Sequence, residues 1–229
     1  MITVFGTPKT RTLRVLWMLE ELGLPYDHVA ARPRSEEVTA LNPLGRIPVL
    51  RDGDAVLTDS VAIMAYLGDR SPDAGGADCV GGLSHPAGTP ERARQDALTL
   101  QMVDEFDALL WTMARHTFVL PEKLRVPEVL PTCEKELVRN AARLADALGD
   151  RPFLMGAQMT IPDIMSGLCC YWAVTSAVKL DPPPPLAAGP PPAPGQEGAA
   201  GAAGATMPER RAMNGPCDAC PPSVHLLHP

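Results

Sequence analysis

Residues 42–50 have the sequence Asn-Pro-Leu-Gly-Arg-Ile-Pro-Val-Leu, which predicts a turn that leads into a short strand with Pro48 near its start. A proline inside a sheet is confined to an edge or to the first residues of a strand, because it has no N–H for the ladder. Asp52-Gly53 then favours a hairpin turn, and residues 55–57 predict the returning strand. This part of the chain is therefore expected to be a β-hairpin.

The segments on either side of this hairpin predict a small α/β domain. Upstream, the β-rich and helically spaced apolar patterns predict a strand, a helix, a strand and a short helix, over residues 2–5, 12–23, 26–31 and 35–41. Downstream, Thr58-Asp59-Ser60 offers caps for a helix over residues 61–67. The order β-α-β-α-β-β-α is thioredoxin-like, and we assign it to residues 1–70.

The next part of the chain predicts a linker and an all-α helical domain. Residues 71–89 are rich in Gly, Ala and Pro without a period, which is typical of an interdomain linker. Residues 90–180 then carry apolar positions at helical spacing. Thr160 as N-cap and Asp163 three residues later predict a capping box, with Met159 and Ile164 placed as its hydrophobic staple.

The composition changes after Leu180. Residues 181–229 hold half of the chain's 26 prolines and no aromatic residue. Such a Pro/Ala/Gly-rich segment buries too little apolar surface to offset its ordering entropy, so we expect a disordered, low-complexity tail. Cys217 and Cys220 in this segment have C-x-x-C spacing. That spacing suits a redox pair or half a zinc site, but chance cysteines are the expected explanation, and no metal is expected.

Bulk composition narrows the function classes. The 229 residues carry a formal net charge of −7, which implies no basic surface for nucleic acid. No stretch reaches the roughly 18 apolar residues of a membrane span. The first residues also lack the pattern of a secretory signal. We therefore expect a cytoplasmic protein with neither a nucleic-acid nor a membrane partner.

Three motifs give the chain a resemblance to the glutathione S-transferase family over about its first 175 residues. Residues 42–50 resemble the family's N-P-x-G-K-V-P-x-L, and residues 57–63, Leu-Thr-Asp-Ser-Val-Ala-Ile, resemble its L-x-E-S-x-A-I. Phe-Leu-Met-Gly at residues 153–156 and Thr-Ile-Pro-Asp-Ile at residues 160–164 resemble the family's F-L-x-G segment and its capped helix. The three motifs occur in the family's order and on the expected elements.

The resemblance implies a glutathione site formed by Arg46, Ile47, Pro48, Asp59 and Ser60. A cis proline at position 48 would turn the backbone of Ile47 outward to pair with the cysteinyl backbone of glutathione. The start of the helix at Asp59-Ser60 would receive the γ-glutamyl carboxylate, because free N–H groups and the helix dipole favour an anion. The alternatives are a plain edge-strand proline at position 48 and simple helix capping by Asp59 and Ser60.

Catalysis in this family requires the thiolate of glutathione, which a hydroxyl and a nearby helix N-terminus would stabilise. Serine-type members have a serine after the first strand, whereas residues 6–12 of this chain contain no serine or cysteine. Thr10 is the first candidate, with Thr7, Lys9 and Arg11 as alternatives. These residues could equally serve only to cap and solvate the start of the helix.

The resemblance implies a glutathione transferase of detoxification that conjugates glutathione, its co-substrate, to a small apolar electrophile, in a homodimeric lineage. One alternative is a non-catalytic glutathione-binding or interaction module of the same fold. Another is a destabilised product with an out-of-frame C-terminus, because family members continue past the capped helix with further helices. Residues 90–180 would then form an incomplete helical domain.

Overall fold

The structure is a computed structural model that describes residues 1–77 and 79–176. Its first part contains four strands and three helices in the predicted order. They are β1 (Ile2–Phe5), α1 (Thr12–Leu22), β2 (Tyr26–Val29), α2 (Glu36–Leu41), β3 (Val49–Asp52), β4 (Ala55–Thr58) and α3 (Ser60–Arg70).

The four strands form one mixed sheet with the order β2-β1-β3-β4. β1 and β2 are parallel and are joined through α1, as a β-α-β unit requires. β3 pairs antiparallel with β1 and with β4. This arrangement confirms the thioredoxin-like fold predicted from the sequence.

The hairpin differs slightly from the prediction. β3 begins at Val49, so Pro48 precedes the strand instead of lying near its start, and the Ile47–Pro48 peptide bond is cis. The proline nitrogen has no hydrogen to donate, so ladder pairing starts one residue later. The connection to β4 consists of Gly53 and Asp54, with Gly53 at a φ of 59°. Glycine adopts this left-handed conformation without a steric penalty.

The second part of the structure is helical. A 3₁₀ turn (Gly81–Leu83) is followed by α4 (Pro90–Met102), a π turn (Val103–Asp107), α5 (Ala108–Ala114), a second π turn (Arg115–Val119), two 3₁₀ turns (Glu122–Leu124 and Pro127–Val129), α6 (Leu130–Leu148) and α7 (Ile161–Thr175). Residues 90–119 form a single uninterrupted helical run. No helix within the described ranges is long and apolar enough to cross a membrane.

The capping box at the start of α7 is confirmed. The backbone N–H and the hydroxyl of Thr160 donate to one carboxylate oxygen of Asp163, at 2.8 and 2.9 Å. The other oxygen accepts from the N–H of Leu154, at 2.8 Å. Met159 and Ile164, the predicted staple, are both buried. Asp163 therefore joins the loop before α7 to the helix itself.

One large hydrophobic cluster joins the sheet and the helical run, and a second, smaller cluster lies around Val38 of α2. Trp17 and Ile63 from the thioredoxin-like part and Met102 and Ile164 from the helices belong to the same buried cluster. All described residues accordingly lie in one compact unit. The domain boundaries inferred from composition stay predictions, and the segment 181–229, with Cys217 and Cys220, lies outside the described residues.

Candidate functional site

Three candidate segments leave the sheet at the same end. Phe5 pairs with Val49, which in turn pairs with Thr58. The turn before α1 comes after Phe5, the Ile47–Pro48 bond precedes Val49, and Asp59-Ser60 comes after Thr58. Sheet register therefore brings together residues that lie up to about 50 positions apart in the chain.

The turn before α1 holds the predicted catalytic residue, Thr10. Its exposed hydroxyl lies 2.7 Å from the Thr7 carbonyl oxygen, to which it donates. The same hydroxyl oxygen accepts from the N–H of Thr12 at 3.2 Å. Thr10 thus shapes the turn here, and its hydroxyl would have to rotate away from Thr7 to reach a thiolate. Lys9 is exposed.

Arg11, an alternative catalytic candidate, binds a carboxylate of the helical part. Its Nε lies 3.0 and 3.1 Å from the two carboxylate oxygens of Asp107, and its Nη2 lies 2.6 Å from one of them. The guanidinium carbon is 5.1 Å from the ring centroid of Trp111 and 5.6 Å from that of Trp172. These distances allow cation–π attraction. One edge of Arg11 is therefore already occupied.

Arg14 links the same carboxylate to a predicted ligand-binding residue. Its Nη2 donates to Asp107, and its Nη1 lies 3.2 Å from the Ser60 hydroxyl oxygen, to which it donates. Arg14 is 3% exposed, Ser60 3% and Asp107 6%. Arg14 and Asp107 are not among the site residues predicted from the sequence. The signal in the sequence that could have found them is a charged residue directly beside an apolar core position: Arg14 beside Val15, and Asp107 beside Phe106.

Asp107 is held as an anion. Burial would raise the pKa of its carboxyl, but the charges of Arg14 and Arg11 and their hydrogen bonds outweigh burial and hold that pKa below its usual value. By contrast, burial raises the pKa of the neighbouring Cys169 thiol to about 11, so Cys169 carries no charge at neutral pH. The carboxylate of Asp107 thus forms ion pairs with two guanidinium groups, those of Arg11 and Arg14.

Asp59 caps α3 and leaves Ser60 in the interior. One carboxylate oxygen of Asp59 accepts from the N–H groups of Val61 and Ala62, at 2.9 and 3.2 Å. Asp59 has a φ of 71°, an uncommon value for a residue with a side chain. The capping role weighed for Asp59 is therefore present. Ser60 instead uses its hydroxyl oxygen to accept from Arg14, which leaves its hydrogen available for another acceptor.

The loop around the cis proline is fixed by Asn42. Its side-chain nitrogen donates to the Arg46 carbonyl at 2.9 Å, and its side-chain oxygen accepts from the N–H of Leu44 at 3.2 Å. Pro48 is buried, Ile47 is half-buried and the Arg46 side chain is exposed. Asn42 thus holds the backbone that presents Ile47. No three His, Cys, Asp or Glu side chains in residues 1–77 and 79–176 lie where they could share a metal ion.

Comparisons with known proteins agree with this architecture. The family model for the glutathione S-transferase N-terminal domain matches residues 11–70. Glutathione S-transferase theta-2 of Homo sapiens is 33% identical over 153 residues, which cover 61% of this chain and 56% of that protein. The glutathione S-transferase-like protein gedE of Aspergillus terreus is 30% identical over 181 residues, which cover 71% of this chain and 74% of that protein.

Solved structures show the same fold. The theta class glutathione S-transferase of Xanthomonas axonopodis pv. citri, solved with glutathione bound, has a TM-score of 0.60 at 25% identity, with 75% of this chain and 82% of that chain covered. The glutathione transferase URE2P8 of Phanerochaete chrysosporium has a TM-score of 0.66 at 24% identity, with 81% and 85% covered.

A thioredoxin-like mixed sheet followed by a helical part defines the class of protein to which this fold belongs. The family model and the relatives above show that the chain belongs to the glutathione S-transferase family. It spans 56% and 59% of the human and mouse theta-2 proteins that it matches.

Proposed function

We propose that this protein is a glutathione transferase, with glutathione as co-substrate and a small apolar electrophile as second substrate. The observation that carries the proposal is the buried Ser60 hydroxyl at the start of α3. Its oxygen accepts from Arg14, so its hydrogen is available for a carboxylate. A hydroxyl at a helix N-terminus beside a buried guanidinium suits the γ-glutamyl carboxylate of glutathione.

The other contacts of glutathione are proposed at the same end of the sheet. The backbone of Ile47 before Pro48 is proposed to pair with the cysteinyl part of the tripeptide, as an added strand would. Arg46, whose side chain is exposed, would neutralise negative charge on the ligand. These assignments rest on the family resemblance and on the convergence of the segments after Phe5, before Val49 and after Thr58.

The chemical step is a nucleophilic substitution. The glutathione thiol loses its proton to solvent, and the thiolate attacks the electrophilic carbon. A C–S bond forms, the bond to the leaving group breaks, and the leaving group departs with the electron pair. We assign thiolate stabilisation first to Thr10, whose hydroxyl would turn from the Thr7 carbonyl to the sulfur. Thr7 and Lys9 remain alternatives, and Arg11 is the weakest because Asp107 already binds it.

The test is turnover by the purified full chain with glutathione and chlorodinitrobenzene. Enzyme-dependent formation of the thioether, above the uncatalysed rate and saturable in glutathione, is the expected result. Binding of glutathione by calorimetry without any turnover would instead support the non-catalytic binding module. The absence of both would refute the proposal. Sedimentation of the same sample tests the proposed homodimer, and a cytoplasmic role in detoxification is proposed with it.

A further inference from the structure

A small charge cluster joins α1, α3 and the helical part of the molecule; its members Arg14 and Asp107 are buried, and Arg11 is partly exposed. Arg11 and Arg14 lie one turn apart at the start of α1, and both bind the single carboxylate of Asp107. The charges that shift the pKa of Asp107 are those of these two arginines, and the adjacent Cys169 thiol is neutral at physiological pH. The cluster therefore carries one positive charge in excess, close to Ser60.

Asp107 reaches the arginines from the end of a π turn. Val103–Asp107 is wound as a π-helix, and the adjacent residues Phe106 and Asp107 are both buried. The extra residue of a π turn rotates the subsequent residues around the helix axis, and such turns are frequent at functional sites. Phe106 can thus enter the hydrophobic core while Asp107 faces α1.

Stability alone is a weak reason for this arrangement. Removing two charges from water has a cost that their attraction often only balances, so a buried ion pair is poor evidence of a stabilising role. Arg14 is also more than a bridge between the two parts of the protein. While its Nη2 binds Asp107, its Nη1 donates to the hydroxyl oxygen of Ser60. A guanidinium presents these donors in a fixed plane, so Asp107 fixes the direction from which Arg14 meets Ser60.

We propose that Arg14, held by Asp107, is a positioning residue that orients the Ser60 hydroxyl toward the γ-glutamyl carboxylate of glutathione. This inference rests on the proposed function. The Nη1 hydrogen occupies one lone pair of the Ser60 oxygen, which directs the hydroxyl hydrogen away from Arg14 and toward the ligand. The excess positive charge of the cluster then favours an anion at that position. Arg14 does not need to touch glutathione to act in this way.

The test is a double-mutant cycle on glutathione affinity, measured by calorimetry with the full chain. Arg14→Gln removes the charge and the fixed donor and leaves Asp107 paired with Arg11. We expect the Kd for glutathione to rise about tenfold in Arg14→Gln and by a similar factor in Ser60→Ala. The double variant should bind about as weakly as either single variant, because both changes remove the same oriented donor.

Arg92→Gln is the matched control. Arg92 in α4 binds Asp69 of α3 at 2.5 and 3.2 Å, so it also joins the helical part to α3, but no hydrogen bond connects it to Ser60. Arg92→Gln should change the Kd for glutathione only slightly. In the double variant with Ser60→Ala, the two fold-changes in Kd should simply multiply. If the fold-changes in Kd caused by Arg14→Gln and Ser60→Ala also multiply in the double variant, Arg14 acts only as a structural contact and the inference is wrong.

A second probe distinguishes this inference from the proposed function. An aminobutyryl analogue of glutathione lacks the γ-glutamyl carboxylate. Arg14→Gln should bind this analogue as well as the wild type does, and equal losses for both ligands would contradict the inference. A wild type that fails to bind glutathione would refute the proposed function itself. If melting shows that Arg14→Gln does not fold, Arg14→Lys replaces it, because a single ammonium cannot keep both directed contacts. An unchanged glutathione Kd in Arg14→Lys would overturn the inference.

Discussion

Gly167 in α7 lies directly against the ring of Trp17 in α1, and a Cβ atom added to Gly167 would sit 2.9 Å from ring carbon Cη2. Trp17 is 1% exposed and its Nε1 donates to Glu21 at 2.9 Å, so the ring has little room to move. This contact joins the thioredoxin-like part to the last described helix.

Gly167→Ala is therefore expected to destabilise the protein despite the better helix propensity of alanine. Overpacking costs about 1–3 kcal/mol, against a gain of up to about 1 kcal/mol from propensity. Urea unfolding measures the difference. Trp17→Phe should remove the clash, so the double variant should lose less stability than the sum of the two single variants. A stabilised Gly167→Ala would show that the two helices can separate.

Ser60→Ala should weaken glutathione binding by about 1–3 kcal/mol, the range for a lost hydrogen bond to a charged group. Calorimetry on the full chain measures the effect. Ser84→Ala is the control, because Ser84 is also buried but its hydroxyl accepts from Gln95, at 3.1 Å. Equal glutathione affinities for the wild type and Ser60→Ala would remove Ser60 from the proposed site.

Thr10→Val keeps the shape of the side chain and removes its hydroxyl. If Thr10 stabilises the thiolate, the thiol ionises less readily in the variant, and the pH–rate profile with chlorodinitrobenzene shifts to higher pH. Thr39→Val serves as a control for the loss of an exposed threonine hydroxyl, since Thr39 also donates to a backbone carbonyl, that of Ser35, at 3.0 Å. An unshifted profile for Thr10→Val would transfer the role to Thr7, Lys9, Arg11 or backbone N–H groups.

Asp107 and Asp163 should give opposite pH dependences of stability. The arginines hold the folded-state pKa of Asp107 below its usual value despite burial. The ionised Asp107 therefore stabilises the folded state at pH values above its pKa in the unfolded chain, about 3.9. This stabilisation is lost as the pH falls through its pKa in the folded protein. The stability difference between wild type and Asp107→Asn should accordingly be largest near neutral pH and should shrink in acid.

Burial raises the pKa of Asp163, and this outweighs its hydrogen bonds from Leu154 and Thr160. The corresponding stabilisation is present below the unfolded pKa and is lost as the pH rises through the folded pKa. The loss of stability caused by Asp163→Asn should therefore be largest in acid. Melting temperatures of the wild type, Asp107→Asn and Asp163→Asn from acid to neutral pH test both predictions. If the stability losses of the two variants changed with pH in the same direction, the two assignments would be contradicted.

The sequence by itself determined the elements whose causes are local. Gly53 permits the hairpin turn, Thr160 and Asp163 cap α7 within one turn, and apolar spacing predicts that residues 12–22 form the helix α1. These features depend on backbone conformation and on neighbours a few residues away. Together with the family motifs, they were enough to predict the thioredoxin-like fold, which the structure confirms, and to propose the site residues from Arg46 to Ser60.

Only the tertiary structure decided the partners of the arginines. Arg11 and Arg14 meet Asp107 across separations of 96 and 93 residues, and Arg14 meets Ser60 across 46. No local pattern specifies such pairs, because they depend on how α1, α3 and the helical run pack and on the π turn that places Asp107. The sequence offered Arg11 as a free candidate near the thiolate. The fold instead pairs the partly exposed Arg11 guanidinium with Asp107, because the buried carboxylate requires a partner.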